Sequence, residues 1–198
     1  MRRQLLFNEN CGVVVGVRHG SVIGHAFHTG FICNGGTSTR QLVRWITQLV
    51  VSPERRGQGI ATHLLSCAIQ PRKHLFAAGL VSSNPAAIRA LERAVGRRTD
   101  SYELLTHSDT ILAACDVPYI AHKNPTVSLE QCIIDTGFFV DHSEVNEIIA
   151  SQKNNVSPDR PWCFGSLPDG HEFFAFVLIK SPSPPISASK PSVSYEST

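Results

Sequence analysis

A chain of 198 residues suits one hydrophobic core of ordinary size and leaves little room for a second independent domain. Hydrophobic residues make up 42% and charged residues 17%, which excludes a disordered or fibrous composition and reads as a soluble globular protein. Eighteen Lys and Arg against sixteen Asp and Glu give a net charge of +2, too little for nucleic acid as a bulk electrostatic partner.

In chain order, the positive start at Arg2 and Arg3 is followed by Leu5, Leu6 and Phe7, but Asn8, Glu9 and Asn10 stop the apolar run. That is too short for a secretory core, and no later run approaches the roughly 20 apolar residues of a membrane helix. The six cysteines, Cys11, Cys33, Cys67, Cys115, Cys132 and Cys163, are scattered with no C-x-x-C pair. They read as reduced, mostly buried thiols of a cytoplasmic protein, a nuclear one being the alternative.

Two short β-branched runs, 13–18 and 21–28, flank His19-Gly20 and predict a hairpin. The Gly-rich stretch 34–38 predicts a loop, and 42–51 a long buried strand that Ser52-Pro53 ends. Gly57-Gln58-Gly59 opens a helix whose Ile60, Leu64, Leu65 and Ala68 fall at helical spacing, and Pro71 closes it. A strand over 75–81 follows. Asn84 then caps a helix with Pro85 at its first position, and Gly96 ends it. Beyond this point the expectations are a short helix over 109–114 capped by Ser108, a loop over 124–128 and a strand over 132–140. A helix from Ser143 to about residue 150, a loop over 154–169 and a last strand over 172–180 complete the domain. The Ser- and Pro-rich stretch 181–198 reads as a disordered tail.

The order strand, Ser-Pro, Arg-Arg, Gly-x-Gly, helix, strand, Asn, helix carries the chemistry. A Gly-rich turn at a helix N-terminus exposes unpaired backbone N–H groups where the helix dipole is positive, which suits a phosphate or pyrophosphate. Glycine at 57 and 59 admits close backbone approach, and Arg56 can add a charge-assisted bond. The segment is neither a P-loop nor a dinucleotide fingerprint, since the lysine of the one and the third glycine of the other are missing. No His or Cys spacing suggests a metal site, and no G-x-S-x-G elbow suggests a serine hydrolase.

Residues 49–65, with Arg56-x-x-Gly59-x-Ala61 at their centre, resemble the signature of the GNAT N-acetyltransferase superfamily. The stretch 80–87, with Asn84, resembles that family's next strand, asparagine and helix. The likeness covers about residues 12–96 well and runs more loosely to 180; the whole is similar to acetyltransferase-like proteins of fungi. It implies an α/β fold with a mixed, mostly antiparallel sheet, splayed central strands and flanking helices, in one domain over 1–180 with the core motif at 42–96.

The resemblance also implies acetyl-CoA as co-substrate. The backbone of Leu49, Val50 and Val51 would hold the pantetheine arm. The amides of Arg56, Gly57, Gln58, Gly59, Ile60 and Ala61 would hold the pyrophosphate, and Asn84 would reach the ligand from the other side. A neutral amine would then attack the thioester, with a backbone N–H at Leu49 or Val50 stabilising the oxyanion. No nucleic acid or membrane partner is expected.

Two departures from the family pattern stand out. The strand and two helices that usually precede the central hairpin are missing, so either the chain is truncated or another part, such as 97–170, walls the acceptor site. Trp45, Thr47 and Leu91 also occupy the positions where many members carry proton-handling Glu, His or Tyr. Substitute candidates are His25 and His28, which should face opposite sides of their strand, and Tyr102 or Tyr119 if their loops fold over the cleft; Glu54 reads as a solvated loop carboxylate, and Asp141-His142 and His171-Glu172 as inert surface pairs. A degenerate, non-catalytic acyl-CoA-binding domain is the rival reading.

Overall fold

In the first hairpin, His19 and Gly20 both take positive φ, 50° and 78°, the turn geometry that matches the twist of two antiparallel strands. It joins β1 (Gly12–Arg18) to β2 (Ser21–Cys33). The structure, a computed structural model, describes residues 7–34, 40–70, 74–121, 123–128, 130–139, 145, 147 and 162–179. β2 runs five residues beyond the expected end at His28. Its Thr29, Phe31 and Cys33 continue the alternation and are buried, while Gly30 leaves room for the Arg44 guanidinium.

β3 (Gln41–Val51), helix α1 (Ile60–Ile69), β4 (Leu75–Ser82) and helix α2 (Pro85–Val95) follow the expected pattern closely. Asn84 caps α2 by accepting from the Ala86 amide, and Gly96 closes it at φ 77°. Further on, three expectations are corrected. Helix α3 spans Ser101–Ala113, not 109–114, because Asp100 accepts from the Tyr102 and Glu103 amides and starts it eight residues earlier. Leu104, Ser108 and Ile111 form its buried face, so the Ser108 hydroxyl donates to the Leu104 carbonyl within the helix instead of capping it. The expected loop 124–128 contains the short edge strand β5 (Pro125–Val127), where proline costs no ladder bond. β6 is confined to Cys132–Asp135, since Gly137 turns the chain at φ 69°.

β7 (His171–Leu178) is the last strand among the described residues. Of the helix expected from Ser143, only Val145 and Glu147 are described, both helical. The loop at 35–38, Pro71 and the tail 181–198 lie outside the described residues.

Among the described residues, seven strands form one sheet in the order β1-β2-β3-β4-β7-β6-β5. Only β3 and β4 pair in parallel; all other neighbours are antiparallel. The fold is thus mixed α/β with a mostly antiparallel open sheet. On the α1 side of the sheet, Leu64 packs close to Gly16 and Gly24. On the opposite side, Phe31, Trp45 and Phe174 stack in series, with Trp45 and Phe174 rings 5.5 Å apart. Trp45 is wholly buried, and its ring lies directly over Gly79 of β4, where a Cβ would collide with it and with the Ala175 carbonyl. Gly79→Ala is therefore expected to destabilise the fold by about 1–3 kcal/mol through overpacking. Urea denaturation checks this; an unchanged midpoint would mean the ring can move aside.

Candidate active site

β3 carries the irregularity on which the site depends. Its register with β2 steps from Phe27–Gln48 to His28–Ile46 and leaves Thr47 without a partner. At the same place its parallel pairing with β4 stops, the last pair being Ile46–Leu80. Beyond it β3 stays with β2 as far as Val51, while β4 stays with β7 as far as Ser82. A bulge adds local twist and bend to its strand, so the two central strands part here.

Strand geometry decides which backbone groups face the opening. The Ser52 N–H donates to the Ile23 carbonyl of β2. Alternate residues on a strand share that direction, so the N–H groups of Gln48 and Val50 also turn toward β2. Those of Leu49 and Val51 turn into the gap, and the Val51 carbonyl accordingly receives Nε of Arg56 at 3.4 Å. Leu49 can therefore present an amide to a ligand, whereas the Val50 amide, one of the two oxyanion donors expected from the family resemblance, is turned away.

At the end of the gap, Pro53 opens a 3-10 turn over Pro53–Arg55. The Arg56 amide is spent within it, donating to the Pro53 carbonyl at 3.2 Å. This corrects its expected place among the phosphate donors. Gly57 and Gly59 then take φ of 74° and 78°. The amides of Gly57, Gln58, Gly59, Ile60 and Ala61 have no backbone acceptor among the described residues, and the first bond into α1 runs from the His63 N–H to the Gly59 carbonyl. Five unpaired donors at the positive end of a helix make an anion cradle. A Cβ built on Gly57 or Gly59 would meet no heavy atom within 4 Å, so the cradle is open.

Gap and cradle enclose one cavity of about 700 Å³. Leu49, Val50 and Val51 form its β3 wall, and Arg56, Gly57, Gly59, Ile60 and Ala61 its turn end. Asn84 lies on the rim; its Oδ1 accepts from the Ala86 amide, and its side-chain NH2 can donate to a ligand. The Gln58 side chain does not line the cavity, since its Nε2 donates to the Glu54 carbonyl. Arg55, which with Arg56 forms the basic cluster suited to a phosphorylated ligand, also lines the cavity, and Arg93 is a charged lining residue that the sequence did not point to. Arg93 completes a face of α2 with Ala86 and Ala90, and its Nε donates to Thr62 of α1 at 3.4 Å. The i, i+4, i+7 spacing of those three was the available signal.

A second cavity, of about 320 Å³, lies against the same gap. It shares Thr47, Gln48 and Val81 with the first and adds Pro118, Tyr119, Phe138 and Glu172. Segment 97–170 thus supplies much of its wall. The Tyr119 hydroxyl donates to the Thr47 carbonyl at 3.4 Å. Burial first, and the nearby Glu172 carboxylate second, push the Tyr119 phenol well above its ordinary pKa, so it stays protonated. Glu172 lies two residues from Phe174 on β7, hence on the same face as the Trp45–Phe174 stack.

Of the four candidates for proton transfer, Tyr119 lines the second cavity and the other three lie elsewhere. His25 meets the Gln48 side chain at 3.3 Å, and His28 meets Arg44 on the opposite side of β2; neither lines a cavity at the gap. Tyr102 stands exposed on α3, away from both cavities. Leu91 is fully buried in the core. All six cysteines are free thiols and none lines either cavity. Among the described residues, no three His, Cys, Asp or Glu side chains come together to hold a metal, and no helix is long and apolar enough to cross a membrane.

Parted central strands, an amide cradle beside them and cavities meeting at the gap form a site suited to an extended ligand that carries phosphate. The model of the Acetyltransferase (GNAT) family matches residues 1–96, the segment that holds the cradle and both walls of the gap. No curated protein matches the chain. Among solved structures, an acetyltransferase from Vibrio fischeri aligns at 20% identity with a TM-score of 0.34, over 38% of this chain and 64% of that one. The chain therefore spans less than two thirds of that protein's length.

Proposed function

We propose that the protein transfers an acetyl group from acetyl-CoA to a primary amine. The observation that carries this reading is the meeting of the two cavities at Thr47, Gln48 and Val81, where β3 and β4 part. The cradle formed by Gly57, Gln58, Gly59, Ile60 and Ala61 holds the pyrophosphate, supported by Arg56. The gap-facing groups of Leu49 and Val51 bond the pantetheine arm, and Asn84 donates from the rim. The thioester then lies near Thr47, open to an acceptor from the second cavity.

The acceptor ammonium first loses one proton to a base. The neutral nitrogen attacks the thioester carbonyl carbon; the C–N bond forms, and the Leu49 amide stabilises the oxyanion. Collapse breaks the C–S bond, and the second nitrogen proton goes to the departing thiolate. Ammonium and acetyl-CoA thus yield amide, thiol and one released proton. No cysteine lies in either cavity to take the acetyl group in between, which favours direct transfer. Six free thiols support a cytoplasmic or nuclear setting for this reaction.

A non-catalytic acyl-CoA binder is the second reading, and Trp45, Thr47 and Leu91 favour it. Titration calorimetry with acetyl-CoA, followed by thiol release over a panel of amines, tests both. Heat of binding with thiol release supports the transferase, binding without turnover supports the binder, and no heat removes both. Arg56→Ala is expected to weaken acetyl-CoA binding by roughly 1–3 kcal/mol, measured in the same titration. Unchanged affinity would take Arg56 out of the site.

A further inference from the structure

We propose that the protein dimerises in solution by pairing the β1 edge of its sheet with the β1 edge of a second copy, antiparallel about a two-fold axis at Val15.

The two edges of the sheet are built differently. β5, at one end, has three residues and opens with Pro125. Short length and proline are common means of keeping an edge from pairing. β1, at the other end, has seven residues, and its stretch 12–17 contains neither proline nor charge. The register shift against β2 leaves its extra residue, Ile23, on β2, so β1 itself carries no bulge. Among the described residues no strand pairs with its outer side. A β-branched edge with none of these safeguards is a template for another strand.

Backbone directions select the register. The Gln48 and Val50 N–H groups face β2, so the residues opposite them, Phe27 and His25, face β3. Gly24, Ala26 and His28 alternate with these and face their β1 partners Gly16, Val14 and Gly12. Val13, Val15 and Val17 therefore turn their N–H and C=O groups outward. An axis at Val15 sets Val15 against itself and Val13 against Val17 of the second copy, so every outward donor meets an acceptor. An axis at Val14 or Gly16 loses one of these three pairs.

Side chains agree with that register. Val13, Val15 and Val17 lie on one face and are 46%, 47% and 60% exposed. Pairing sets the two valine rows side by side, and β-branched pairs across strands stabilise a sheet. At each end Arg18 comes opposite the second copy's Gly12, three residues from its exposed Glu9, so the charges there are complementary. The pair consumes its own edge and leaves only the blunted β5 edges, so assembly closes at two copies. A standard interface uses about 20–30 residues a side. A strand pair of seven is smaller, so the dimer is weak and depends on concentration.

Sedimentation velocity on the full chain from roughly 1 to 300 μM, a range suited to a weak interface, tests this. Wild type is expected to pass from monomer to dimer with nothing larger. Val15→Lys and Val15→Glu should each stay monomeric with melting curves like wild type, because each sets like charges face to face. Mixed in equal amounts, the two variants should regain the dimer, since position 15 opposes itself. Val22→Lys, exposed on the same face but one strand in from the edge, should dimerise as wild type does. A monomeric wild type, or growth beyond two copies, overturns the proposal. So does a Val15→Lys protein that still dimerises, or a mixture that does not. Loss of the dimer in Val22→Lys overturns edge pairing in favour of face-to-face packing of the exposed valines. If the position 15 variants melt lower than wild type, Val13→Lys and Val17→Glu take their places, and the same outcomes apply.

Discussion

Replacing Glu92 with alanine is expected to destabilise the protein by about 3 kcal/mol, the order found when one partner of a buried ion pair is removed. Glu92 is 3% exposed and sits late in α2. Its carboxylate accepts from Arg89 at 2.8 Å, Arg98 at 2.7 Å, and the amide and hydroxyl of Thr99 at 3.0 and 2.7 Å. These bonds tie the end of α2 to the segment leading into α3. Alanine would strand the donors that converge on it, and an unsatisfied buried donor costs more than a made bond gains.

The same carboxylate sets a pH dependence. Burial, the largest single influence, raises its pKa, but the bonds from Arg89, Thr99 and Arg98 together outweigh it and hold the group below the usual carboxylate value. A depressed folded pKa contributes stability that is present above the unfolded value and is lost as pH falls through the folded one. Wild-type stability should therefore decline on acidification below the ordinary carboxylate range, and the Glu92→Gln variant should decline less. Denaturant midpoints across that range measure it; parallel curves would show that Glu92 is not the group responsible.

The cradle was legible in sequence because its determinants are adjacent. Pro53 ends one strand, Gly57 and Gly59 supply positive φ, and Asn84-Pro85 starts the next helix, each acting on its own few residues. The acceptor side was legible only in part, through Tyr119 and the suggestion that segment 97–170 forms a wall. Thr47, Tyr119, Phe138 and Glu172 meet only after the sheet has formed, and Glu172 in sequence is one of two polar residues at the start of a strand. The bulge at Thr47 carries no residue signature either; it is an offset of one position between β2 and β3. Helix α3 was misplaced for a local reason, since Asp100 and Ser108 are both acceptable caps and only burial of Leu104 shows which one starts it.

The largest functional effect is expected from Gly59→Val. Gly59 caps α1 at φ 78°, a conformation costing roughly 1–2 kcal/mol for a residue with a Cβ and disfavoured most for a β-branched one. No atom lies within 4 Å of the added Cβ, so the fold meets no clash and loses only about that amount. The ligand fares worse. To relieve φ the peptide groups at 58–60 must rotate, which turns the Gly59 and Ile60 amides out of the cradle, and the valine methyls enter the space the diphosphate needs. Two charge-assisted bonds at about 1.5–3 kcal/mol each correspond to an affinity loss of at least about 100-fold. Calorimetry with acetyl-CoA beside a melting curve separates the two costs. A variant that melts slightly lower yet binds acetyl-CoA as tightly as wild type would show that the anion is held by Arg55, Arg56 and Arg93 and not by the amides.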